Sequence, residues 1–346
     1  MKIVGLDIGT NYTKATMDGE KVTQFPSIVV YGDEKDWTFE KENKDTYVGQ
    51  EALEMVQNME NVEAERPLHE GRIMSQSYIE LAKHAFKTMN IEPEVIATGM
   101  PVKSSKNERE ELKNDIKEHF NAKAVIYPEP VGTLAQMNIQ TGVCVDIGFG
   151  TTDIAVLHQL EYVKGDTLLQ GVDWLHNNLE VIIRKNYGIG VTPEEITKLL
   201  TTPGYEIGRV RSGKTIKVSH EEALAEYNRL VNKWLDRIVS RTKSVIEGLS
   251  TEIVDQIVLT GGGSLLPGVY DEFKKSFQDI ADVVRPQDPV SSNVMGYYIL
   301  SRSLFKQKDS RAVKTSVEET KQKRKDKEKV EKKIEKKKEE SEVKNS

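Results

Sequence analysis

Two short stretches of this chain say nearly the same thing. Asp-Ile-Gly-Thr at Asp7–Thr10 returns as Asp-Ile-Gly-Phe-Gly-Thr-Thr-Asp at Asp146–Asp153. Each follows an apolar run of strand character, Lys2–Asp7 and Gly142–Asp146, and each leads into another, Tyr12–Met17 and Thr152–His158. Strand, glycine turn, strand reads as a hairpin. A hairpin repeated at long range, with an aspartate ending its first strand each time, predicts two similarly built halves about a central cleft.

The remaining pattern fits that frame. Asp18–Gly19 continues the first hairpin into a meander. Helical periodicity covers Ser75–Met89, Lys106–Phe120, Val172–Asn186, His220–Leu249, Gly268–Phe277 and Ser292–Phe305. Further strand-like runs lie at Glu94–Gly99, Ala122–Tyr127, Leu160–Leu168 and Asp255–Thr260. Such alternation predicts an α/β fold. No short-period repeat is visible.

Composition excludes several classes. A chain of 346 residues is long enough for about two domains and a sizeable core. The single cysteine, Cys144, cannot form an intrachain disulfide, and the six histidines show no metal-ligand spacing. The opening MKIVGLDIGT lacks the apolar core of a signal peptide, and no run reaches a membrane span. A cytoplasmic protein is expected. The formal charge of −6 argues against a general nucleic-acid binder. Charge is uneven, however. Residues 309–346 carry 14 Lys+Arg and 10 Asp+Glu, leaving −10 on the first 308 residues. That tail has no aromatic, Gly or Pro, and is expected to be disordered or a single solvated helix. It is the one segment with the charge to touch nucleic acid or another acidic surface.

Three glycine-rich turns carry the candidate chemistry. In the first, Gly9 shapes the turn, Thr10 and Asn11 offer N–H groups to phosphate oxygens, and Lys14 adds a cation. In the second, Gly148, Phe149, Gly150 and Thr151 repeat the arrangement. Asp7 and Asp146 end the preceding strands, where a carboxylate can hold metal-bound water. The third, Gly261, Gly262, Gly263 and Ser264, allows close backbone approach to a flat ligand such as adenine or ribose, and Pro267 suits the first turn of the next helix. Taken singly, each is equally an ordinary glycine turn. One phosphate chain gripped from two sides explains the pair.

The three turns in this order resemble the two phosphate motifs and the adenosine motif of the actin/Hsp70/sugar-kinase superfamily. YPEPVGTLAQ (Tyr127–Gln136) resembles its connecting segment, RPLHEGRI (Arg66–Ile73) a Pro-x-x-x-Gly segment of actins, and GVDW (Gly171–Trp174) the start of the helix after the second hairpin, which Asp173 could cap. RPQDPVSSNVMGYY (Arg285–Tyr298) resembles the closing segment. Within the superfamily the prokaryotic actin-like proteins of the plasmid-segregation ParM type, and similar archaeal proteins, are the nearest in appearance.

The resemblance implies two actin-like, ribonuclease H-like domains: residues 1–141 with 290–308, and residues 142–289. It places Thr192–Ser219 in a smaller lobe on the adenine side, with Val22–Gly71 across the cleft. It implies ATP or GTP with Mg²⁺, the ion held through water by Asp7 and Asp146. Lys14 would meet phosphate oxygens, and Glu129 would orient the attacking water; a plain helix-start carboxylate is the other reading of Glu129. Asp153 reads as structural. The implied activity is nucleotide hydrolysis coupled to head-to-tail filaments, for plasmid segregation through a DNA-binding adaptor or for a cytoskeletal role. A small-molecule kinase or a non-polymerising ATPase of the superfamily is the alternative.

One motif competes. Gly208–Thr215, GRVRSGKT, fits the P-loop pattern letter for letter. A working P-loop joins a buried strand to a helix N-terminus. Here a β-like run, IKVS, follows instead, so the segment reads as a surface hairpin. Lys214→Ala should therefore change nucleotide affinity by no more than about threefold, a surface-charge effect. A loss above tenfold in equilibrium titration would reinstate the P-loop.

Overall fold

Strand formation begins with IVGLDI, Ile3–Ile8, an apolar run buried on both faces apart from Asp7. Such a strand belongs in the middle of a sheet covered on both sides. The computed structural model describes residues 1–32, 46–58, 62–69, 72–73 and 75–306, and places Ile3–Ile8 third of five strands. It pairs antiparallel with Tyr12–Thr16 and parallel with Val95–Met100. Thr23–Pro26 and Lys123–Pro128 close the two edges.

The second sheet repeats this plan. Gly142–Ile147 is central, antiparallel to Thr152–His158 and parallel to Gln256–Thr260. Glu161–Leu168 and Asp282–Val284 are the edges. In both sheets the order is third, second, first, fourth, fifth strand of that half. The expected duplication is thus present strand for strand, as a mixed α/β architecture with two sheet-bearing halves.

Each half has its own core. Val4, Leu6, Ile8 and Ile96 pack with Leu81, Ala85, Phe86 and Ile116 from the helices Ser75–Thr88 and Lys106–Phe120. Val145, Ile154, Ile257 and Leu259 pack with Leu175, Leu179, Trp234 and Phe273 from Val172–Tyr187, His220–Ile246 and Val269–Phe277. Two smaller clusters are separate. One joins Ile28, Val30, Tyr47 and Leu53; the other joins Ile189, Leu199, Ile207 and Val218. The second lies under the helix Pro193–Thr201 and the hairpin of Glu206–Arg211 with Lys214–Ser219. That hairpin is the GRVRSGKT segment, and the helix after it starts only at His220, capped by Ser219.

Some expectations need correction. Pro267 does not open its helix: Gly268 caps it and Val269 begins it, while the Pro267 carbonyl accepts the Tyr227 hydroxyl at 2.8 Å. Asp173 lies inside the first turn behind the cap Gly171, accepting from the N–H groups of Gly171 and Trp174. Residues 309–346 and Trp37 lie outside the described residues.

Two helices of the first half touch almost backbone to backbone. Glu129–Gln136 follows the edge strand of the first sheet, and a second helix starts at residue 292. A Cβ on Gly296 would stand 1.7 Å from the Gly132 carbonyl oxygen, so no larger residue fits without separating the helices. Gly296→Ala should lower unfolding free energy by about 1–3 kcal/mol through overpacking. Urea denaturation with an unchanged midpoint would show that this approach is not made.

Candidate functional site

The two hairpin turns are built alike. Gly9 donates its N–H to the Tyr12 carbonyl at 3.1 Å, and Gly148 donates to Thr151 at 2.9 Å. The registers place Asp7 opposite Lys14 and Asp146 opposite Asp153. Period-2 alternation then puts both members of each pair on one face of their sheet. The turns also meet. A Cβ on Gly150 would lie 2.9 Å from the Thr10 hydroxyl.

The third turn reaches the same place. Thr260 pairs with Asp146 across parallel strands. Gly261 follows with φ of 81°, and a Cβ on it would strike Asp146 Oδ1 at 2.2 Å. Residues Gly262–Leu265 form a single 3-10 turn. Ser264 is buried, with its hydroxyl donating to the Gly261 carbonyl at 2.7 Å. Its side chain braces the turn, whereas Gly262 has open space above it.

The Lys14 ammonium lies 2.8 Å from Asp7 Oδ2, a contact that uses one of its three N–H donors. Burial opposes the charge on Lys14, but Asp7, Asp146 and Glu129 outweigh it and raise its pKa. Glu129 opens its helix after Pro128, and Tyr297 donates its hydroxyl to the Glu129 carbonyl at 3.0 Å. Burial, then the charges of Asp153, Asp7 and Asp146, push the Glu129 carboxyl well above the usual range against Lys14. Burial first, then Asp7 and Asp153, raises Asp146 to about 7. Residues far apart in the chain thus feel one another's charge.

Asp153 is tied down. It accepts from Val102 N–H at 2.8 Å, Thr167 at 2.6 Å and Thr151 at 3.0 Å, though burial leaves its pKa raised. Val102 follows the strand Val95–Met100 of the first half, so this carboxylate fastens one half to the other.

Sequence reasoning missed Asn293. Its Nδ2 donates to Asp146 Oδ2 at 2.5 Å, and its Oδ1 accepts from Thr133 N–H at 3.0 Å and the Thr133 hydroxyl at 2.8 Å. One amide thus links Asp146 to the helix that Glu129 begins. SSNVMGYY lay inside the closing segment, but no local signal pairs an asparagine with a carboxylate that far away. Phe149 was assigned to phosphate through its backbone; its ring packs edge-on against His176, and its carbonyl accepts the Asp173 N–H at 2.8 Å.

Among the described residues no three His, Cys, Asp or Glu side chains are arranged to ligate an ion directly. Several carboxylates crowded beside one lysine suit a divalent cation held through its own waters. The residues therefore fit the water-mediated role expected of Asp7 and Asp146.

A carboxyl whose folded-state pKa is raised favours folding while protonated. For Asp146 that contribution is complete below about pH 4, the ordinary aspartate range, and disappears as pH rises through about 7. The melting temperature of the nucleotide-free protein should fall between pH 5 and 8, and less steeply in Asp146→Asn. Identical slopes in the two proteins would remove Asp146 from this account.

Comparison with known proteins follows the geometry. A model of the MreB/Mbl protein family matches residues 1–309. The cell shape-determining protein Mbl of Bacillus subtilis is 26% identical over 297 residues, spanning 77% of this chain and 86% of Mbl. The cell shape-determining protein MreB of Escherichia coli is 26% identical over 293 residues, spanning 76% and 83%. MreB5 of Spiroplasma citri bound to ADP superposes with a TM-score of 0.72 at 22% identity, covering 89% of this chain and 98% of MreB5. The MamK double helical filament gives 0.68 at 21% identity, covering 87% and 98%. These structural likenesses establish the actin-like fold.

Proposed function

The chain belongs to the MreB/Mbl family of actin-like proteins, and on that premise we propose that it is an ATPase that assembles head-to-tail into cytoskeletal filaments serving cell shape. The observation that carries the reading is the meeting of three glycine turns at four carboxylates, Asp7, Glu129, Asp146 and Asp153. Spiroplasma MreB5 has been seen with ADP and with AMPPNP, which supports a nucleotide here. MamK forms a double helical filament, which supports self-association. Nothing on the chain favours plasmid segregation or a DNA-binding adaptor over a cell-shape role. No described helix is long and apolar enough to cross a membrane, and we place the protein in the cytoplasm.

In this reading residues 1–141 with 290–308 form one actin-like domain and 142–289 the other, with 309–346 as a charged tail. The turns at Gly9, Thr10, Asn11 and at Gly148, Phe149, Gly150, Thr151 bind the phosphates through backbone N–H groups. Gly261, Gly262, Gly263 and Ser264 take the adenosine. Bound Mg²⁺ would offset phosphate charge, with Asp7 and Asp146 holding its waters. Lys14 meets phosphate oxygens and keeps Asp7 in place. Glu129, with its raised proton affinity, orients the attacking water and accepts its proton. Asn293 keeps Asp146 aimed while this happens. Closed subunits then stack through unlike surfaces, which yields open filaments when the rotation does not close.

Glu129→Ala should cut phosphate release by roughly 10²-fold or more while ATP still binds. Sedimentation and electron microscopy should show filaments from the parent protein only with ATP and Mg²⁺, and longer-lived ones from the variant. Parent-rate hydrolysis in the variant, or assembly indifferent to nucleotide, would sink the reading.

A further inference from the structure

Arg66 belongs to none of the roles above, yet it touches both halves of the molecule. Its Nη1 donates to the Thr10 carbonyl at 3.2 Å and to Asn11 Oδ1 at 2.9 Å, both in the first phosphate turn. Its Nη2 donates to Glu194 Oε1 at 3.1 Å. Glu194 sits in the first turn of Pro193–Thr201, beyond the second sheet's hairpin in the chain. The guanidinium thus spans partners from the two halves of the chain.

The far anchor is firm. Thr192 and Glu195 form a capping box at the start of that helix, and Arg209 of the GRVRSGKT hairpin holds Glu195 at 2.5 Å. Glu194 is only 7% exposed, and its other oxygen, Oε2, is buried without a partner among the described residues. A buried carboxylate depends heavily on its one cation, since removing that cation leaves an uncompensated charge. Arg66 is itself only a quarter exposed. The charges of both residues are felt by Tyr12, which ends the same turn.

The near contacts are specific in what they orient. The carbonyl of Thr10 and the N–H of Asn11 belong to one trans peptide and point in opposite directions. Holding the carbonyl therefore fixes the N–H pointing away from Arg66. Engaging Asn11 Oδ1 likewise leaves its Nδ2 as the free end, a donor. Arg66 thereby presents two donors of the first turn, and does so while clasped to the opposite lobe.

We propose, resting on the nucleotide reading above, that Arg66 is a positioning residue that ties the phosphate-binding form of the first turn to closure onto Glu194, so that release of the bound nucleoside triphosphate requires this clasp to open. The hairpin whose sequence fits the P-loop pattern acquires a part through Arg209, which steadies the helix carrying Glu194.

The test is displacement of a fluorescent ATP analogue by excess ATP with Mg²⁺, followed by stopped-flow on full-length protein. Arg66→Ala and Glu194→Gln should each speed dissociation about fivefold or more. The double variant should be no faster than the faster single one, because both remove one interaction. Arg66→Lys should fall between parent and Arg66→Ala, since an ammonium can meet Glu194 but cannot fork across the turn. Thermal melting of each variant separates clasp from fold; should Arg66→Ala fail to fold, Glu194→Gln and Arg66→Lys still decide. Parent-like dissociation from Glu194→Gln, or multiplicative effects in the double variant, would overturn the clasp alone. A parent protein that binds no analogue would overturn the nucleotide reading itself and the clasp with it.

Discussion

Three carboxylates, Asp7, Asp146 and Glu129, about the one buried ammonium of Lys14 make an arrangement that a folded chain adopts only under constraint. Burial and the neighbouring carboxylates raise the proton affinity of Glu129 and Asp146, burial raises that of Asp153, and Lys14 opposes the shift in Glu129 and Asp146. Like charges so placed would separate if they were free to move. Each is therefore fixed by a neighbour: Asp7 by Lys14, Asp146 by Asn293, Asp153 by Val102 and two threonines, and Glu129 by its place at the start of a helix. The close packing of Gly132 against Gly296 holds that helix beside Asn293. The duplicated sheets serve the same end, because matching registers deliver one aspartate from each half to the same place.

What was legible in the sequence was local. Glycine turns between apolar runs announce hairpins from a few adjacent residues, and both hairpins appear with the expected strands. The long helices were legible for a similar reason. Lys106–Phe120 matches the expected limits, with a Ser105 capping box to mark its start. The P-loop pattern was correctly set aside, since secondary structure after it speaks against a phosphate-binding helix.

What was not legible depends on partners remote in sequence. The strand Asp282–Val284 is too short to show period-2 alternation, and the helix Pro193–Thr201 is short and shares its burial with a hairpin. The Asn293–Asp146 bond joins residues 147 apart, and Arg66 reaches Glu194 over 128. A sequence shows that an asparagine or arginine exists, not which carboxylate it will meet. Lys14 shows the same limit: nothing in the turn itself reveals Asp7 as its partner until the register is known. The family was legible as far as the prokaryotic actin-like proteins; the finer ParM likeness is not supported, the matching family model being MreB/Mbl.

The central claim is that one nucleotide is held by three turns from both halves of the chain. A crystal structure with Mg²⁺ and a non-hydrolysable ATP analogue tests it most directly. The account predicts the phosphates between residues 9–11 and 148–151, the purine ring over residues 261–264, and the metal's waters on Asp7 and Asp146. An analogue bound at 208–215, or against only one half, would contradict it.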